Sequence, residues 1–170
     1  MFTPASSPQL SATQIGVIGE NLLANAVMKA SHGRLSPFHP LADDDGLDVL
    51  FFDKKTGNSV AIQLKCRTST DGKGKTAQFD VRKATFKEER HAFLVAALFN
   101  TEMTDFICTW FIPIKEITKV GNEKSDKYVI TPSKHEHSGD KYRGFRCGNA
   151  DELTQHILKV CEEKREGKKG

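Results

Sequence analysis

Two apolar runs, HAFLVAALFN at 91–100 and DFICTWFIPI at 105–114, constrain this chain more than any other stretch. Each has the length of a strand, and neither leaves a polar face for water. They predict neighbouring strands covered on both sides, although the first run also admits a helix. Pro113, inside IPIKEI, is expected to turn the chain out of the sheet. A sheet hidden on both faces needs elements to cover it. The 170 residues, 38% hydrophobic and 28% charged, suffice for one core and its cover, and leave little room for a second full domain.

The covering elements are readable on either side of these runs. Ser11-Ala12-Thr13-Gln14 fits a capping box and predicts a helix to about Ala30, with Ile15, Ile18, Leu22 and Ala26 on one stripe. His32-Gly33-Arg34 should end it, because glycine accepts the left-handed conformation that closes a helix. Leu35 to Pro40 holds two prolines and can be an edge strand at most. LDVLFFD at 47–53 and SVAIQLKCR at 59–67 flank the turn Asp53-Lys54-Lys55-Thr56-Gly57-Asn58, which predicts a β-hairpin. Residues 68–78 read as a mobile basic loop and Val81 to Glu89 as a short helix. The stretch 121–148 is polar, with turns at Gly121-Asn122 and Ser138-Gly139-Asp140. A last helix should start at Asn149 or Asp151 and run to about Glu163, burying Leu153, Ile157 and Val160. The order is that of one mixed α/β domain spanning 1–170, with 1–10 and 163–170 flexible.

Several classes drop out. No apolar run approaches the ~20 residues of a membrane span. The start, MFTPASSPQL, lacks the basic and apolar regions of a secretory signal. Cys66, Cys108, Cys147 and Cys161 form no CxxC pair, which disfavours a zinc knuckle or a disulfide scaffold and suits a reducing cytoplasm. No GxxxxGK or GxSxG motif is present. The net charge of +3 is too small to imply nucleic acid by itself.

The informative segment is GLDVLFFDKKTGNSVAIQLKCR. Strand alternation puts Gln63 and Lys65 on one face and Ile62 and Leu64 on the other. The hairpin brings Asp48 to the same end of the sheet. An amide and an ammonium inside an apolar strand pair call for a reason, because an unpaired buried charge is costly. Upstream, IGVIGENLLANAVM carries Glu20 on the flank of the first helix.

This arrangement resembles the PD-(D/E)xK nuclease superfamily, in which a helix supplies a Glu, one strand an acidic residue and the next strand (D/E/Q)-x-K. The matching positions are Glu20, Asp48 and Gln63-Leu64-Lys65. The resemblance covers roughly 12–67 by motif and reaches about 114 by order of elements. It implies an α/β fold with a restriction-endonuclease-like core, a mixed four- to five-stranded sheet flanked by helices. It also implies a Mg²⁺-dependent DNA endonuclease, with Mn²⁺ able to substitute. Asp48, Gln63, the Leu64 carbonyl and Glu20 would hold the metal, and Lys65 would orient water or steady charge on the phosphate. Cutting both strands of a duplex implies a homodimer or a higher oligomer.

The chain departs from the pattern twice: Leu47 precedes the Asp in place of Pro, and the neutral Gln63 replaces a carboxylate. These departures keep open a non-catalytic module on the same fold, binding nucleic acid or protein. Bland roles also stand beside the sharp ones. Asp48 could serve the hairpin, Lys65 could blunt a sheet edge, and Glu20 could be solvated. In the DDD run at 43–45, Asp45 is the nearest rival to Asp48, though a solvated turn is the simpler reading. His135, His137 and Cys147 lack the paired spacing of a zinc site. Residues 65–90 hold eight basic residues (Lys65, Arg67, Lys73, Lys75, Arg82, Lys83, Lys87, Arg90) against four acids. Beside Lys65 this stretch could hold DNA phosphates, with Arg67, Lys73, Lys75, Arg82 and Lys83 as contacts.

Overall fold

The computed structural model describes residues 9–42, 45–69 and 74–167. Helix α1 (Ala12–Ala30) opens on the expected capping box. The Gln14 amide donates to Ser11 Oγ at 3.2 Å, and the Ser11 amide donates to Gln14 Oε1 at 2.8 Å. It closes through His32 and Gly33, whose φ values are 50° and 77°. The Gly33 amide there donates back to Met28 O. Strand β1 (Leu35–Phe38) follows, then β2 (Val49–Asp53), β3 (Ser59–Thr68) and β4 (Phe79–Arg82). Next come β5 (Ala92–Phe99), β6 (Phe106–Pro113), the short helix α2 (Ile117–Val120), β7 (Asn122–Glu123) and β8 (Lys127–Ile130). The two-residue β9 (Arg146–Cys147) and helix α3 (Ala150–Glu166) complete the order.

Six strands form the main sheet in the order β1-β2-β3-β5-β6-β9. The β3–β5 pairing is parallel and its neighbours are antiparallel. The run at 91–100 is therefore a strand, and β5 is buried along its whole length. Alternation divides its side chains between two cores. Phe93, Val95, Ala97 and Phe99 pack with Leu23 and Val27 of α1 and with Leu153 and Ile157 of α3. Leu94, Ala96 and Leu98 pack with Phe79, Val81 and Ile130 of a second sheet, ordered β4-β8-β7.

Two expectations are corrected. The main sheet has six strands, not four or five, because Leu35–Phe38 pairs with β2 and β9 adds an edge beside β6. The run 81–89 is not a helix: Phe79 and Val81 are buried by period-two alternation, and β4 pairs antiparallel with β8. Tertiary pairing, not local propensity, decides that segment. Helix α3 starts where expected, with Asn149 Oδ1 accepting the Glu152 amide at 2.9 Å, but it extends to Glu166. Residues 1–8 and 168–170, within the segments expected to be flexible, lie outside the described residues. Among the described residues, no helix is long and apolar enough to cross a membrane.

One contact fixes how α1 meets the sheet. A Cβ on Gly19 would stand 2.3 Å from Cys66 Sγ of β3 and 3.4 Å from Phe99 Cε2. Only glycine lets the helix come this close, and the approach carries Glu20 to the strand edge. Gly19→Ala is expected to destabilise the fold by about 1–3 kcal/mol through overpacking. A urea midpoint unchanged from wild type would show that the helix docks less tightly than described.

Candidate active site

The site lies where β2 and β3 part. Their ladder runs from Phe52↔Ser59 to Val49↔Ile62. Its last backbone bond is Asp48 N–H to Ile62 O at 2.9 Å. Beyond it β3 continues to Thr68 against β5 alone, so its other edge opens. Asp48 fills the first gap on that edge: its Oδ2 accepts a short hydrogen bond from the Leu64 amide. The side chain takes over where the partner strand leaves off, which fixes the carboxylate beside the Gln63-Leu64-Lys65 segment.

Glu20 comes to the same place from α1. His39, just past β1, stands between them, with Nδ1 3.1 Å from Asp48 O and 4.0 Å from Glu20 Oε2. Cys66 reports the charges around it. Burial, aided by the Asp48 and Glu20 carboxylates and opposed by Lys65, pushes its thiol up to about 12. This holds Cys66 as a neutral thiol rather than a nucleophile.

Gln63 is buried, and its amide faces Gly46 and Thr85 in a small pocket that Leu47 and Arg90 also line. Lys65 is half-buried in β3, paired in register with Ala96, and makes no hydrogen bond or ion pair among the described residues. Glu20, Asp48 and Lys65 each lie near enough to Cys66 for their charge to act on its thiol. The fold sets Gln63 under the loop that delivers Asp48. Asp45, the rival carboxylate, is held by Arg90 and Lys87 instead.

Among the described residues, no three His, Cys, Asp or Glu side chains group closely enough to enclose an ion. Two carboxylates with the Leu64 carbonyl are an all-oxygen set. That suits a hard cation which keeps several waters and borrows phosphate oxygens. It does not suit zinc, which prefers four nitrogen or sulfur ligands. Cys147 is fully buried in β9, while His135 and His137 are exposed.

The basic candidates differ in how free they are. Arg67 is exposed, with Nε donating to Gln78 O at 2.8 Å. Lys75 and Arg82 are exposed on the segment that follows. Lys83 is committed to Glu123 at 2.6 Å and lies over the Tyr128 ring. Lys73 lies outside the described residues, as do Asp43 and Asp44. Sequence reasoning missed His39 and the hold of Arg90 on Asp45. Neither sits in a periodic pattern or a motif, and both acquire their partners only through long-range folding.

No family model matches the chain, and no curated protein does. Solved structures do. The bacterial homing endonuclease I-Ssp6803I superimposes with a TM-score of 0.61 at 18% identity, covering 94% of this chain and 99% of that one. The Holliday junction resolvase Hjc of Archaeoglobus fulgidus gives a TM-score of 0.41 at 10% identity, over 76% of this chain and 96% of that one. The first likeness carries the fold.

Proposed function

We propose that this chain, which has the restriction-endonuclease-like fold of the PD-(D/E)xK nucleases, is a metal-dependent endonuclease that hydrolyses DNA phosphodiester bonds. The observation that carries the reading is the Asp48 carboxylate, set by the Leu64 amide against the Gln63-Leu64-Lys65 strand at the point where the sheet opens. Asp48 would be the central ligand of Mg²⁺ or Mn²⁺, with Glu20, Gln63 and the Leu64 carbonyl supplying further oxygens. A bound ion of this kind neutralises phosphate charge and acidifies water. The chain's own groups do the rest. The Leu64 amide keeps Asp48 in one orientation, so no reorganisation is needed when substrate arrives. The Lys65 ammonium orients the attacking water or meets the charge that develops on the phosphate. Arg67, Lys75 and Arg82 hold neighbouring phosphates and set the register of the duplex. Each site cuts one strand, so cutting both calls for a homodimer or a higher oligomer.

The neutral Gln63 favours a second reading, a non-catalytic binding module on the same fold. Relaxation of supercoiled plasmid separates the two. The endonuclease reading expects nicking that requires Mg²⁺ or Mn²⁺. Absence of metal-stimulated cleavage on single-stranded, duplex and branched DNA would leave the binding module. Gln63→Glu gives a further expectation. Restoring the carboxylate should tighten Mn²⁺ binding about tenfold, or roughly 1.4 kcal/mol, because hard cations are recruited by ligand charge. Calorimetry with metal alone reads it, and unchanged affinity would remove Gln63 from the ligand set.

A further inference from the structure

We propose that the turn at 83–90 is a brace that holds the Asp48 carboxylate in place, with Arg90 as the positioning residue. The inference rests on the endonuclease reading of Asp48, and its test separates the two. Arg90 Nη1 donates to Asp45 O at 2.7 Å, while Nη2 lies 3.3 Å from Asp45 Oδ1. One guanidinium thus grips both backbone and side chain of a residue just ahead of Asp48. A planar fork can do this and an ammonium cannot. Lys87 adds a longer contact to the same carboxylate, 3.8 Å.

Gly46 comes next, with a φ of 70°. A Cβ there would stand 3.0 Å from Thr85 Cβ and 3.2 Å from Gln63 Nε2. The loop is therefore pressed between the brace and β3, in a conformation other residues rarely adopt. From this fixed point the chain passes through Leu47 to Asp48, whose amide and carboxylate both bond to β3.

The brace is itself tied down. Lys83 pairs with Glu123 of β7 at 2.6 Å, and the Thr118 hydroxyl of α2 donates to Glu88 Oε1 at 2.9 Å. The Arg90 amide closes the turn on Lys87 O at 3.0 Å. The small sheet thus gains a purpose beyond covering the core: it anchors the segment that aims the candidate metal ligand. Surface ion pairs contribute little to stability. The consequence therefore lies in orientation, where misplacing a ligand's support typically costs 10–100-fold.

Hydrogen exchange at the Leu64 amide reads the Asp48 contact directly, whatever the activity. In Arg90→Ala that amide is expected to exchange at least about tenfold faster, with far-UV circular dichroism unchanged. Calorimetry with Mn²⁺ alone should show affinity about 10–100-fold weaker. Arg90→Lys should recover part of both effects. Asp45→Ala should change both in the same direction and less, and add nothing on top of Arg90→Ala, because both act through one contact. If Arg90→Ala does not fold, Asp45→Ala at its exposed position carries the same readout. Leu64 exchange at the wild-type rate in the folded variants overturns the brace. A wild type that binds no Mn²⁺ and cuts no DNA overturns the endonuclease reading, while Leu64 exchange still decides the brace.

Discussion

Lys65→Ala is expected to lower kcat for DNA cleavage by about 10²–10³-fold, the usual cost of removing one donor aimed at developing charge. Lys65 is half-buried on β3, paired in register with Ala96 and two residues from Gln63 on the same face. A lysine that merely blunted a sheet edge would be dispensable for chemistry. DNA affinity should fall less than about tenfold, because the variant loses one phosphate contact among several. Lys65→Arg should recover binding but little turnover, since a broad guanidinium does not replace a compact ammonium beside a water. Single-turnover cleavage paired with a binding isotherm checks both halves. Full activity in Lys65→Ala would place the lysine outside the mechanism.

The second large effect concerns stability. Asp53 ends β2 with its side chain fully buried, and Arg34 grips it with two hydrogen bonds of 2.8 Å. The Lys55 amide and the Thr56 hydroxyl complete its shell at 3.0 and 2.7 Å. Arg34 also reaches Glu162 of α3 at 3.0 Å, so one guanidinium joins the end of α1, the hairpin turn and the last helix. Asp53→Asn leaves that guanidinium, 24% exposed, with Glu162 as its remaining counter-charge, and is expected to cost about 1.5–3 kcal/mol. The Arg34 hydrogen bonds, working against burial, hold the Asp53 carboxyl down at about 2. A carboxyl depressed on folding contributes stability that is present above the unfolded value and lost as pH falls. Wild type should therefore lose about 2 kcal/mol between roughly pH 4 and pH 2, and Asp53→Asn should lack that loss. Denaturant melts across this range test the sign. An equal acid loss in both proteins would contradict it.

What could be read from the sequence was what neighbours in the chain decide. The capping box at Ser11 and the left-handed close at Gly33 are local, so α1 was legible at both ends. The hairpin was legible because Asp53 to Asn58 can only turn, with Gly57 at a φ of 74°. With the hairpin in place, strand pairing alone brings Asp48 to the end of the sheet that carries Gln63 and Lys65. The rest depended on distant partners. Val81 reads as helical in isolation, and its strand exists because Tyr128 pairs with it. Glu20 reaches the sheet edge only because Gly19 sits against Cys66, a closeness that no periodicity announces. Arg90 looked like one more cation in a basic stretch until folding set it against Asp45.

A crystal soaked in Mn²⁺ interrogates the site most directly. The account expects an anomalous peak bounded by Asp48, the Leu64 carbonyl and Glu20, and no such peak in crystals of Asp48→Ala. A wild-type crystal with that pocket empty at saturating Mn²⁺, or with the ion held at other residues, would contradict it.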